Sequence, residues 1–272
     1  MNTHPVGRVA GKVVFITGAA RGQGRSHAIR LAEEGADVIA VDALKDYDTV
    51  AYPMATREDL DETVRLVEKT GRRIIAVRAD VRDPAELTAA VDHGVAEFGR
   101  LDVVIANAGI CSVQAWHDVT PEVWRDTIDT NLTGVWNTMV AAVPHLIESG
   151  GGSIIAVSSA AGLKGLPFYA PYVAAKHAVV GIARSMANEL AEYGIRVNTI
   201  HPAGVRTAMS GGLDMGDLLE THPQLGPIFM NSLPMEMVEP DDVSNAVLFL
   251  ASDEAMYVTG LAMTLDGGNT IR

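Results

Sequence analysis

The stretch from Val13 to Gly24 reads Val-Val-Phe-Ile-Thr-Gly-Ala-Ala-Arg-Gly-Gln-Gly. Its first five residues predict a buried strand, and Gly18, Gly22 and Gly24 predict a tight turn that leads into a helix. Such a turn points backbone N–H groups and the positive end of a helix at a phosphate. Three glycines alone are weak evidence. Their place at the head of a strand–turn–helix unit favours a site for a phosphate-bearing cofactor.

Six further short apolar runs follow, each nearly continuous, as in strands that are buried on both faces. They are Ala36–Val41, Ile74–Val77, Leu101–Ala106, Ser153–Val157, Ile195–Ile200 and Leu261–Leu265. Segments with helical spacing lie between them, at Arg25–Gly35, Thr56–Lys69, Pro121–Ile147 and Tyr172–Tyr193. This alternation predicts one α/β domain over residues 1–272. We expect a Rossmann-type, doubly wound parallel sheet of about seven strands with helices on both faces.

Composition excludes several classes of partner. The net charge of −13 argues against a nucleic-acid surface, which needs a basic patch. Cys111 is the only cysteine, which rules out an internal disulfide and suits a reducing compartment. No apolar run is long enough to span a membrane, and Met1–Lys12 lacks the apolar centre of a signal peptide. The eight histidines show no metal-ligand spacing. We expect a cytoplasmic protein without a metal.

Asp42 ends the second predicted strand, 18 residues after Gly24. A carboxylate there can accept both hydroxyls of an adenosine ribose and repels a 2′-phosphate, which favours NAD over NADP. Arg21, inside the glycine turn, argues the other way, because a cation could bind that phosphate. We favour NAD, since discharging Asp42 beside a phosphate costs more than leaving Arg21 solvated.

In order along the chain, the motifs resemble those of the short-chain dehydrogenase/reductase family. The glycine turn is followed by Asn-Ala-Gly at Asn107–Gly109, by Tyr-x-x-x-Lys at Tyr172–Lys176 and by Pro-x-Gly at Pro202–Gly204. The resemblance covers nearly the whole chain. It implies a cofactor-binding set made of Gly18, Arg21, Gly22, Gln23, Gly24, Asp42, Asp80, Val81, Asn107, Ala108, Gly109, Lys176, Pro202, Gly204, Val205 and Thr207. By the same resemblance, Asp80 and Val81 flank the adenine.

Tyr172 and Lys176 are four residues apart, so they share a face of the predicted helix. A phenol titrates near pH 10, and a nearby ammonium should lower the pKa of Tyr172 enough for it to exchange a proton with an alcohol. Ser159, thirteen residues before Tyr172, is expected to hydrogen-bond the substrate oxygen. Ser158 is the rival serine, but neighbours on a strand point to opposite faces. The family resemblance adds Asn131, on a water-linked proton path from Lys176.

Two segments narrow the resemblance. Ala43–Ala55 is longer than the usual connection from a strand to a helix and contains Tyr-Pro-Met-Ala-Thr at Tyr52–Thr56. With the glycine turn it is similar to the mycofactocin-associated, carveol-dehydrogenase-like subgroup. That subgroup implies an NAD that stays bound and is reoxidised in place by a peptide-derived redox partner, mycofactocin. We hypothesise that this insertion covers the adenosine end and slows cofactor exchange.

The second segment is a predicted substrate lid at about residues 205–238. It holds five of the eleven methionines, which suits a hydrophobic alcohol such as a terpenoid, for example carveol, or else ordinary core filling. The family also implies a homotetramer built through the two long helices and the C-terminal strand. Two rival functions stay open: an NADP-dependent carbonyl or ketoacyl reductase, and a non-catalytic NAD-sensing protein of the same fold.

Overall fold

Seven parallel strands form the central sheet of this computed structural model, which describes residues 7–272. Residues 1–6, half of the Met1–Lys12 stretch discussed above, lie outside the described part. The strands are β1 Val13–Thr17, β2 Asp37–Asp42, β3 Ile74–Arg78, β4 Val103–Ala106, β5 Gly152–Val157, β6 Ile195–Pro202 and β7 Ala262–Leu265. Their order is β3-β2-β1-β4-β5-β6-β7. The order reverses between β1 and β4, and a crevice for ligands opens at such a switch point.

Helices cover both faces of the sheet. They are α1 Gly22–Glu33, α2 Arg57–Glu68, α3 Pro84–Phe98, α4 Pro121–Ile128, α5 Gly134–Glu148, α6 Ala170–Glu189, α7 Ala208–Gly211, α8 Gly216–Thr221 and α9 Pro240–Ala251. One core cluster packs α1, α2 and α9 on one face, and another packs α3, α5 and α6 on the other. The predicted fold class is therefore confirmed. None of the helices within residues 7–272 combines the length and the apolar character needed to cross a membrane.

Local signals place several element ends correctly. Thr56 and Asp59 form the expected capping box at the start of α2. Gly35 follows α1 with a φ of +95°, where an L side chain would be strained. Two helices, α3 and α9, were not singled out from the sequence, although Asp83 caps α3 and Pro240 opens α9.

Two expectations are wrong in detail. β3 and β7 are the sheet edges and remain partly exposed, so only the five inner strands are buried as their continuous apolar runs predict. The predicted single helix Pro121–Ile147 is divided by a π-helical turn at Asp129–Thr133. Such turns are frequent at functional sites, and this one carries Asn131.

Candidate active site

The backbone of the turn after β1 is packed so tightly that it leaves no room for side chains. A Cβ on Gly24 would lie 2.0 Å from the carbonyl oxygen of Gly18, so only glycine fits there. Asn107 holds the other side of the turn, because its side-chain amide donates to the carbonyl oxygens of Thr17 and Gly18 at 2.9 and 3.2 Å. The start of α1 is thus held next to the end of β4, at the switch point of the sheet.

A cleft of about 880 Å³ opens beside this turn. Most of the predicted cofactor residues line it: Gly18, Arg21, Gly22, Gln23, Gly24, Asp42, Asp80, Val81, Asn107, Ala108, Gly109 and Thr207. Pro202, Gly204 and Val205 lie instead in an adjoining cavity, which shares Gln23, Thr207 and Met209 with the cleft. Lys176 lies behind the wall, where a Cβ on Gly109 would be 3.6 Å from its Nζ. The residues present fit an extended dinucleotide. The glycines carry no side chains that would keep a phosphate away from the backbone of the turn, and the cleft also carries polar groups, such as Asp42 and Asn107.

Asp42 stands at the end of β2, half-buried, and accepts hydrogen bonds from the backbone N–H groups of Ala20 and Leu44. Burial raises the pKa of its carboxyl group, and those hydrogen bonds and the charge of Arg21 oppose the rise. Arg21 remains partly exposed, and its guanidinium donates to the carbonyl oxygen of Pro53 in the insertion, a contact that the sequence did not reveal. The cation that argued for a 2′-phosphate is therefore engaged by this chain's own backbone.

Asp80 has a partner that the sequence did not reveal. Its carboxylate forms a bidentate ion pair with Arg82, at 2.6 Å to Nη2, and the guanidinium of Arg82 lies over the ring of Tyr47 at 4.6 Å. The ion pair lowers the pKa of Asp80 against the effect of burial, which is the largest influence and raises it. Tyr47, from the insertion, lines the cleft beside Asp80 and Val81.

The insertion is anchored to the cleft through Tyr52. This side chain is buried, with 6% of its surface exposed, and its hydroxyl oxygen accepts a hydrogen bond from the backbone N–H of Cys111 at 3.1 Å. Its Cβ lies 2.4 Å from the position that a Cβ on Gly212 would take, so Tyr52 also packs against the segment after α7. Ala43, Tyr47, Tyr52, Met54 and Ala55 all line the cleft.

Lys176 is almost fully buried, and its ammonium donates to the carbonyl oxygen of Val157 at 2.8 Å. Its Nζ lies 5.5 Å from the centre of the Tyr172 ring. Burial lowers the pKa of Lys176 to about 8. Burial also raises the pKa of Tyr172 well above its usual value, and a hydrogen-bonding contact with Ser159 opposes that rise. The expected lowering of the Tyr172 pKa by Lys176 is therefore not seen: burial is the largest influence and raises this pKa, and the group that opposes the rise is Ser159.

The two serines after β5, Ser158 and Ser159, differ in their hydrogen-bond partners. The Ser158 hydroxyl donates to the carbonyl oxygen of Lys176 at 2.9 Å and ties β5 to α6. The Ser159 hydroxyl oxygen accepts from the backbone N–H of Ala161 at 3.1 Å, which leaves its proton free to donate. Ser159 and Tyr172 both line the adjoining cavity.

Asn131 sits in the π-helical turn, fully buried, and both polar atoms of its side chain form hydrogen bonds. Its Nδ2 donates to the carbonyl oxygen of Ile110 at 2.7 Å, and its Oδ1 accepts from the N–H of Ile110 at 2.8 Å. A Cβ on Gly109 would lie 3.1 Å from that Oδ1. Asn131 therefore clamps the segment after β4 against the turn, close to Lys176.

The adjoining cavity, here called the lid cavity, measures about 1150 Å³. A parallel bridge between Val205 and Val238 closes the base of the segment that covers it, at the ends predicted for the lid. Most of its wall is apolar, aromatic or sulfur-containing. Met209, Leu213, Met215, Phe229 and Met237 come from the predicted lid, as do the polar Asn231 and Glu236. Cys111 and Tyr169 also line the cavity, and sequence reasoning did not assign them to it. The Tyr169 hydroxyl is occupied by the sulfur of Met215, at 3.3 Å.

Comparison with known proteins agrees with this geometry. A family model described as enoyl-(acyl carrier protein) reductase matches residues 18–270. A protein named putative short-chain type dehydrogenase/reductase from Mycolicibacterium smegmatis is 54% identical, covering 98% of this chain and 99% of its own. The chain belongs to the short-chain dehydrogenase/reductase family. The (−)-trans-carveol dehydrogenase of Rhodococcus erythropolis is 50% identical, over 97% of this chain and 99% of its own.

A solved structure extends the comparison. The short-chain dehydrogenase from Mycobacterium paratuberculosis, bound to NAD, superposes with a TM-score of 0.95 at 51% identity, covering 98% of this chain and 100% of its own. The predicted family and its carveol-dehydrogenase-like character are confirmed. The predicted class of activity, oxidoreduction of an alcohol with NAD, is confirmed with them.

Proposed function

We propose that this dehydrogenase exchanges the alcohol proton through Tyr172 while Ser159 holds the substrate oxygen. The observation that carries the proposal is that Ser159 and Tyr172 lie in the wall of the same cavity. Ser159 and Tyr172 line the lid cavity, which meets the long cleft at Gln23 and Thr207. A substrate oxygen next to both hydroxyls would thus face the inner end of the cleft. Ser159 donates to that oxygen, and Tyr172 takes the proton in oxidation or returns it in reduction.

NAD is proposed to lie along the cleft, with its phosphates at the glycine turn and its adenosine ribose at Asp42. When bound, it supplies the hydride acceptor and a positively charged ring. Lys176 is proposed to hold the ribose next to that ring and to favour the phenolate of Tyr172. Burial of the Tyr172 side chain raises its pKa. Proton transfer at Tyr172 is therefore proposed to need the positive charges of Lys176 and of the bound nicotinamide ring, which oppose that rise.

We propose a hydrophobic secondary alcohol of terpenoid size as the substrate. The wall of the lid cavity supports this, because Tyr169, Met215 and Phe229 offer apolar surface and the only tyrosine hydroxyl among them is occupied by a thioether. Methionine side chains adapt to irregular apolar shapes. The relative named (−)-trans-carveol dehydrogenase acts on an alcohol of this kind. Residues 205–238 are proposed to act as the lid.

The insertion is proposed to retain NAD. Arg21 donates to Pro53 and Cys111 donates to Tyr52, so the insertion is hydrogen-bonded to both sides of the cleft. A retained cofactor must be reoxidised in place, and mycofactocin, a peptide-derived carrier, is the proposed partner.

A homotetramer is proposed because α4 and α5 expose large apolar side chains: Trp124, Trp136, Val140 and Ile147 are each between 37% and 45% exposed. Contact with further copies would remove that surface from water. A cytoplasmic location belongs to the same proposal, since the one cysteine is a buried free thiol.

Mass spectrometry of the protein as purified tests the cofactor, and an alcohol panel with an artificial electron acceptor tests the activity. We expect retained NAD and turnover of cyclic terpenoid alcohols with the acceptor, with little turnover when free NAD is the only oxidant. Retained NADP, or carbonyl reduction with NADPH and no alcohol oxidation, would replace the proposal by the reductase. Bound NAD without turnover of any alcohol would favour the sensing protein.

A further inference from the structure

His201 makes a contact with the active site that the motifs do not describe. It lies near the end of β6, fully buried, with Nδ1 2.7 Å from the carbonyl oxygen of Ser159 and Nε2 2.8 Å from Oγ1 of Thr199. A carbonyl oxygen only accepts hydrogen bonds, so Nδ1 carries the proton. In the neutral ring Nε2 then accepts from the Thr199 hydroxyl, which fixes the tautomer.

The neutral form of the ring is favoured by its surroundings. Burial lowers the pKa of His201, and the positive charges of Lys176 and Arg184 lower it further. The hydrogen bond to Ser159 opposes this. Thr199 has a second acceptor in the carbonyl oxygen of Leu261, at 3.4 Å, which is longer than its contact with the ring.

Ser159 accepts three hydrogen bonds. Its carbonyl oxygen accepts from the N–H of Gly162 at 2.8 Å as well as from His201, and its hydroxyl oxygen accepts from Ala161 at 3.1 Å. Two of these contacts come from the short 3-10 turn that Ser159 itself caps, so they move with it. The third contact, from His201, ties Ser159 itself to the strand β6, and the N–H of the preceding Ser158 donates to the carbonyl oxygen of Ile200 on the same strand at 2.9 Å.

We propose that His201 is a positioning residue that fixes Ser159, and through it the substrate oxygen, relative to Tyr172. This rests on the proposed role of Ser159 as the donor to that oxygen. The hydrogen bond anchors the peptide that follows β5 against β6, and the occupied carbonyl prevents this peptide from rotating. Misplacing a reacting group by about 1 Å can cost about 100-fold in rate, so one anchoring hydrogen bond is enough to matter.

The test compares two amide variants of equal chemistry. His201→Asn places an N–H group where Nδ1 stands, whereas His201→Gln places it near Nε2, out of reach of Ser159. We expect His201→Gln to lower kcat for alcohol oxidation about 10- to 100-fold, with NAD affinity within twofold of the parent. His201→Asn should retain kcat within about fivefold. Thermal unfolding and NAD binding check that both variants fold.

Ser159→Ala, alone and combined with His201→Gln, separates this inference from the proposed function. If His201 acts through Ser159, the double variant should be no slower than Ser159→Ala. Equal kcat for the Asn and Gln variants, or additive losses in the double variant, would overturn the inference and leave the role of Ser159 intact. Parental activity in Ser159→Ala would overturn the proposed role of Ser159 itself. A rise in the NAD dissociation constant with unchanged kcat would contradict the proposal. It would mean that His201 supports cofactor binding, through its neighbour Pro202, and does not position Ser159.

Discussion

Tyr52 offers a direct way to loosen the insertion without removing it. Tyr52→Phe keeps the ring that packs against Gly212 and removes the hydroxyl that accepts from the N–H of Cys111. Cys111 is 2% exposed, so its N–H would be left buried without that partner. Leaving a buried donor unsatisfied costs about 1–3 kcal/mol. If the insertion must open for NAD to leave, this cost falls on the closed state and speeds release by about 5- to 150-fold.

The assay is stopped-flow displacement of NADH from loaded protein by excess NAD, followed by the fluorescence of NADH. Tyr47→Phe is the matched control. Within residues 7–272 the Tyr47 hydroxyl has one hydrogen-bonding contact, at 3.4 Å to Thr130, and the ring of Tyr47 keeps its place over Arg82. We expect less than a threefold change in release for that control. An unchanged release rate in Tyr52→Phe, or equal acceleration in both variants, would refute the idea that Tyr52 secures the insertion over the cofactor.

Two other perturbations test the cofactor preference and the acid stability. Asp42→Asn keeps an oxygen that can accept a hydrogen bond from Ala20 but removes the negative charge that repels a 2′-phosphate. In fluorescence titrations the ratio of NADP affinity to NAD affinity should therefore rise at least about tenfold. An unchanged ratio would contradict the role of Asp42. Burial lowers the pKa of His27 from 6.5 to about 3 in the folded protein. Between pH 6.5 and 3 the imidazole is therefore protonated in the unfolded chain and neutral in the folded one. The free energy of unfolding falls as pH drops below 6.5, by up to about 1.4 kcal/mol per pH unit. His27→Gln should flatten that slope in urea unfolding at pH 7.5, 6.5 and 5.5, and a slope equal to the parent's would contradict it.

The fold was predictable because its signals are local. The inner strands are buried on both faces, so their apolar residues run without a break, as at Val103–Ala106. The glycine turn and the capping box of Thr56 with Asp59 fix element ends through contacts only a few residues apart. The edge strands β3 and β7 also consist mostly of apolar residues. Their position depends on what packs beside them, which a single run of residues does not encode.

For the candidate site, the sequence predicts a set of residues and does not predict their contacts. The motifs propose Tyr172, Lys176 and Ser159, but the pKa of Tyr172 depends on burial, which the helical spacing to Lys176 does not report. The contact of Arg21 with Pro53 spans 32 residues, so no local pattern predicts it. The contact of His201 with Ser159 spans 42 residues. The π-helical turn around Asn131 has no local signature comparable to a cap.

Proton transfer at Tyr172 is the central claim, and Tyr172→Phe tests it most directly. The substitution removes one hydroxyl and keeps the ring, which contacts Tyr169 edge to face at 6.3 Å. The neighbouring Tyr169→Phe is the control, because the Tyr169 hydroxyl is bound to Met215 and lies outside the proposed chemistry. Single-turnover reduction of bound NAD by a terpenoid alcohol should slow by about 10²- to 10⁴-fold in Tyr172→Phe, with the NAD content unchanged. It should change less than about fivefold in Tyr169→Phe. Near-parental turnover in Tyr172→Phe, with the same NAD content, would contradict the mechanism.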